Sequence, residues 1–138
     1  MSLDAGNDLF AAVRAAILAD PDIAGLVGSR VYQSWHNQDD PAPLIRMSIP
    51  AARQFEMDGG GKGSETDLWV HIFTVEDSTK SARIIVDRVR TVIDGQPLAL
   101  LGSDLVSIDY RDTITRRDDH DPRLQMAIVR FLATTTSK

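Results

Sequence analysis

Three histidines, one acidic turn and one glycine-rich segment are the places in this 138-residue chain where side-chain type and spacing invite a chemical reading. His36, His71 and His120 lie far apart, and His71 shares one side of an extended apolar run with Trp69 and Phe73. A histidine-based hydrolase needs a nucleophile held in a strained strand-to-helix turn, and the chain has no Gly-x-Ser-x-Gly pattern. Ser64 and Ser103 carry no such signature, so His71 reads as a packed, hydrogen-bonded core residue. Asp118, Asp119, His120 and Asp121 offer oxygen and nitrogen donors. Neighbours on one turn point in different directions, however, and do not by themselves close a coordination shell. They read as a solvated hairpin turn.

Residues 55–65, FEMDGGGKGSE, hold Asp58, Gly59, Gly60, Gly61, Lys62 and Gly63 in succession. A phosphate-binding loop needs Gly-Lys followed by Ser or Thr and then a helix, whereas Gly63 follows here and a strand comes next. The acidic residues beside the glycines lack the alternation of a calcium loop. The segment predicts a long mobile hairpin loop, and loops of that length usually bind something. No catalytic, metal or cofactor site is expected, and the chain reads as a non-enzyme.

What remains is charge. Lys80, Arg83, Asp87 and Arg90 recur at helical spacing on one side of residues 79–94, and Arg116, Arg117, Asp118, Asp119 and Asp121 form a charged turn. Such rows are ordinarily solvated. Read as contacts, two unlike charged surfaces on one molecule would join copies head to tail into a ring.

The elements that must carry these residues follow from periodicity. Residues 66–75 are apolar and β-branched throughout and predict a central strand. After a break at Glu76 and Asp77, with Ser78 or Thr79 as cap, Ala82, Ile85, Val86, Val89, Val92 and Ile93 form one helical stripe that stops at Gly95. Leu9, Ala12, Val13, Ala16 and Ile17 mark an earlier alanine-rich helix ending at Asp20-Pro21, with one further helical turn over residues 23–27. Residues 30–35 and 44–53 predict strands, the second at an edge or bulged because Pro50 cannot donate to a ladder. Residues 104–115 and 123–133 alternate as two more, and 134–138 are expected to fray. The order α-β-β-β-α-β-β predicts an α+β fold: a single, largely antiparallel sheet of about five strands with two helices on one face. The strand–helix–strand unit over residues 66–115 leaves one parallel pair possible. One domain spanning 1–138 is expected.

Composition narrows the partners. A formal charge of -5 argues against duplex DNA, whose phosphates want a basic face, and sequence-specific nucleic-acid binding is not expected. With no cysteine, disulfides and thiolate metal sites are out of reach. No apolar run approaches the roughly 20 residues that cross a bilayer, and the acidic start lacks the basic flank of a signal peptide. No membrane partner is expected.

The succession of segments resembles the tail-completion, or tail-terminator, proteins of siphovirus-type bacteriophages and prophages. The pieces that carry the likeness are LADPDIAGLVGSRVY, PLIRMSIP, DLWVHIFTVEDSTKSARIIVDRVRTVID and LVSIDYRDTITRRDDHDPRLQMAIVRFLA. The polar HNQDDPAP departs from the more apolar approach to proline in that family. The resemblance implies a structural virion-assembly protein that caps the head-proximal end of the tail tube, ends its polymerisation and joins tail to head. It implies a ring, hexameric when assembled, whose partners are itself, the tail-tube protein and the head connector. Its place would be the host bacterial cytoplasm during assembly and then the virion tail. The alternatives are a head–tail connector or minor tail subunit and, from another class, a small hydrolase or ligand-binding protein using His71 and the acidic turn.

Overall fold

Residues 66–75 take the middle of the sheet, as their composition predicts, within a strand that begins at Lys62, and the other elements are placed around them. The computed structural model describes residues 2–33, 41–75, 79–117 and 123–137. In chain order the elements are α1 (Ser2–Ala19), α2 (Pro21–Val27), β1 (Val31–Gln33), β2 (Leu44–Glu56), β3 (Lys62–Val75), α3 (Thr79–Ile93), β4 (Ser103–Arg117) and β5 (Leu124–Ser137). His36, the cap at Ser78, and Asp118, Asp119, His120 and Asp121 lie outside the described residues.

The sheet order is β1-β2-β3-β5-β4. It is mixed: β1 runs parallel to β2, and the β2–β3, β3–β5 and β5–β4 pairs are antiparallel. The strand–helix–strand unit of β3, α3 and β4 makes no neighbouring pair, because β5 inserts between its two strands. The irregularity at Pro50 falls where expected, between Ser48 and Ala51.

Strict alternation along β3 sends Leu68, Val70 and Ile72 to one face and Trp69, His71 and Phe73 to the other. The first face is the core. Leu9, Val13 and Ile17 of α1, Ile23 and Val27 of α2, and Ile85, Val89 and Ile93 of α3 are buried against it together with Ala127, Val129 and Phe131 of β5. These are the helical stripes read from the sequence, and each buried Leu, Ile or Val contributes about 1.5–3 kcal/mol.

The architecture is α+β as expected, with three differences in detail. The turn after Asp20 is a helix in its own right, so three helices cover the sheet instead of two. Asp20 makes α2 possible: its carboxylate accepts from Ile23 N–H at 3.2 Å and Pro21 opens the first turn. The loop expected over residues 55–65 is shorter, since Phe55 pairs with Gly63 and Glu56 with Lys62. Met57 N–H then donates to the Gly61 carbonyl at 2.8 Å, and Gly59 and Gly60 take the positive φ that a tight reversal needs. At the other end Thr134, Thr135 and Thr136 do not stand alone, for β3 pairs them on one side and β4 on the other.

Candidate assembly surface

A trough lies between the first turns of α3, the end of β4 and the start of β5. The trough encloses about 570 Å³. Ala82 and Val86 form its helix wall, Thr113, Thr115, Gln125 and Ala127 its floor, and Arg83, Asp87, Arg116 and Arg117 contribute to its lining. Thr74 reaches it from the end of β3, 1% exposed, its hydroxyl without a hydrogen-bond partner among the described residues. Arg83, Arg116 and Arg117 stand with Asp87 in this lining, in a chain of net charge -5. Guanidinium forks recognise carboxylates. No nucleophile–base pair occurs among its described lining residues.

Two groups of charges that the sequence presents as separate surfaces therefore meet here. Arg83 and Asp87 come from α3 and Arg116 and Arg117 from β4. Lys80 is exposed in the first turn of the helix, outside the trough lining. Arg90 lies elsewhere, its guanidinium 3.9 Å from the Tyr110 ring centroid. Asp58, Gly59, Gly60, Gly61, Lys62 and Gly63 lie in the β2–β3 hairpin and do not line the trough.

The face of the sheet away from the helices carries a second, smaller cluster of Leu44, Phe73, Met126 and Ile128, flanked by Tyr32 and Trp69. Arg46 lies 5.7 Å from the Phe73 ring and Arg130 5.5 Å from that of Trp69, so arginine stems and aromatic rings shield one another. Arg130 is held by a two-pronged pair with Asp112, which keeps that carboxyl below the usual aspartate range. His71 is 7% exposed and hydrogen-bonded through Nε2 to Ser48 Oγ at 3.2 Å, the structural residue its setting predicted. Burial above all, then the charges of Arg46 and Arg116, push its pKa down to about 4. It is a neutral side chain at ordinary pH.

Sequence reasoning missed one polar group of consequence. Asp20 binds Arg88 at 2.7 and 3.2 Å across 68 residues, tying the start of α2 to the middle of α3. The Asp-Pro pair marked the end of α1, but nothing local marked the arginine.

The class the structure defines is an α+β sheet with helices on one face, beside a trough lined by side chains of both charges. The family model for tail completion protein gp17 matches residues 11–136. The chain belongs to that family and has a structural part in tail assembly. A chain in the virion of a native gene transfer agent particle has a similar fold, with a TM-score of 0.74 at 24% identity over 94% of this chain and 95% of that one. No curated protein matches the chain.

Proposed function

We propose that this chain caps the head-proximal end of a tail tube, ends the polymerisation of the tube and joins tail to head. The observation that carries the reading is family membership across residues 11–136. Copies close into a ring, hexameric when assembled, and the ring meets the tail-tube protein on one side and the head connector on the other. It assembles in the host bacterial cytoplasm and stays at the head-proximal end of the tail. The similar chain in a gene transfer agent virion supports a place in such a particle. The guanidinium groups of Arg83, Arg116 and Arg117 along the trough support contact with a carboxylate-bearing surface.

The test is electron microscopy of tails assembled with and without the chain. Tubes of uniform length with it, and overlong tubes without it, are the expected result. Uniform tubes that fail to join heads only in its absence would make it a connector instead. Sizing chromatography with tail-tube protein adds a second readout: a monomer that ignores the tube under all conditions would defeat the proposal.

A further inference from the structure

The outer edge of β4 is closed along one part and, among the described residues, has outward backbone groups at Thr113 and Thr115 that no strand pairs. Gly95 N–H donates to the Ile108 carbonyl at 2.7 Å and Tyr110 N–H to Asp94 Oδ1 at 2.8 Å, so the end of α3 covers the edge there. Both bonds leave β4 on the side away from β5, which makes Tyr110 and Phe131 a non-hydrogen-bonded pair of the ladder. Arg111 then enters as an extra residue between Tyr110 and Asp112. Beyond that bulge Asp112 bonds toward β5, and Thr113 and Thr115 turn their backbone groups outward. Among the described residues no backbone hydrogen bond reaches them.

β2 has the same form. Ile45 N–H donates to the Arg30 carbonyl at 2.9 Å, and among the described residues β1 pairs with residues 45–47. Past the irregularity at Pro50 the alternation turns the backbone of Ala52 and Gln54 outward, again unmet among the described residues. The two runs, residues 112–117 and 51–56, are each six residues long. Ile114 and Phe55 stand 39% and 38% exposed on them. The register puts both on the face away from the helices. A bare strand edge is a template for another chain.

We propose that these edges pair between copies of this chain, residues 112–117 of one copy adding to residues 51–56 of the next in a continuous sheet. The inference rests on the reading that copies join, and it names how. β2 and β4 run opposite ways within one sheet, so a next copy that continues the sheet without turning over pairs antiparallel. The run 112–117 is level with residues 69–74 of β3 and the run 51–56 with residues 62–67, so the strands tilt steeply to the axis of the ring they close. Because the edges differ, each copy keeps one free for the next, which builds a head-to-tail series that closes as a ring and not a dimer.

The chain has no cysteine, so Gln54→Cys and Thr115→Cys, both on the helix side of the sheet, can be cross-linked cleanly with a short bis-maleimide. In full-length protein with tail-tube protein, the mixed single variants should give a covalent dimer and each alone should give none. The double variant should give a ladder. Dimers from either single variant alone, or none from the mixture, overturn the pairing. Thr115→Pro removes an outward N–H and leaves the bonds to β5 intact, so it should weaken assembly roughly tenfold with the circular dichroism spectrum unchanged. Assembly at wild-type strength by this variant also overturns it. Tube length separates the two proposals: overlong tubes beside a head-to-tail ladder sink the capping role alone, whereas capped tubes without cross-links sink the edge pairing alone.

Discussion

At the scale of single residues, the groups that looked like chemistry turn out to set stability. His71 titrates near 6.5 in an unfolded chain and at about 4 when folded. Above pH 6.5 both forms are neutral and the fold has its full stability. As pH falls from 6.5 toward 4 the unfolded chain gains a proton that the folded one refuses, costing about 1.4 kcal/mol per pH unit, about 3 kcal/mol in all. Melting followed from pH 7 to 4 should show this slope, and His71→Gln should flatten it in that window. An unchanged slope would mean that His71 is hydrated in solution. Asp20 works from the opposite side. The hydrogen bond from Arg88 holds its carboxyl below the usual aspartate range, so its contribution is present above about pH 4 and is lost as the pH drops through the folded value. Asp20→Ala removes a cap and strands Arg88, and should cost about 2–3 kcal/mol in denaturant unfolding. Asp20→Asn keeps an acceptor for Ile23 and should cost about half as much. Equal costs would mean that the charge contributes nothing.

At the scale of elements, α3 owes its stop to one glycine. Gly95 sits at φ 69°, and its N–H closes onto β4 at Ile108. Gly95→Ala should cost about 1 kcal/mol in denaturant unfolding. A neutral result would show that this turn relaxes without strain. Elements of this kind were legible in the sequence because their signals are local. The stripes of α1 and α3, the apolar run of β3 and the break at Pro50 all appear where periodicity put them. Strand order was not legible, because the β3–β5 pairing joins residues that carry no mark of one another. The hairpin tip misled for a different reason. Residues 55–56 and 62–65 are polar because the end of the sheet is solvated, and polarity reads as loop even where the backbone is paired. The trough failed to show for the reason strand order did. Arg83 and Arg117 are far apart in the chain, and only the crossing of α3 over the β4–β5 hairpin brings them together.

At the scale of the whole molecule, the sheet divides into a guarded middle and bare flanks. β3 is paired along both sides, covered by helices on one face and by Arg46, Arg130 and the aromatic cluster on the other. Its amides, and those of β5 beside it, can exchange only when the core opens, whereas the outward amides of Ala52, Gln54, Thr113 and Thr115 have no backbone partner among the described residues. Hydrogen exchange of the isolated protein should therefore be slowest at residues 68–73 and 126–131 and fast at those four positions. On assembly with tail-tube protein, edge pairing raises protection at the four together, because each new strand contact closes a β4 edge and a β2 edge at once. Protection that appears at the trough and leaves the edges fast would assign the copy-to-copy contact to Arg83, Arg116 and Arg117 instead. Protection on β4 without β2 would mean that a different chain occupies that edge.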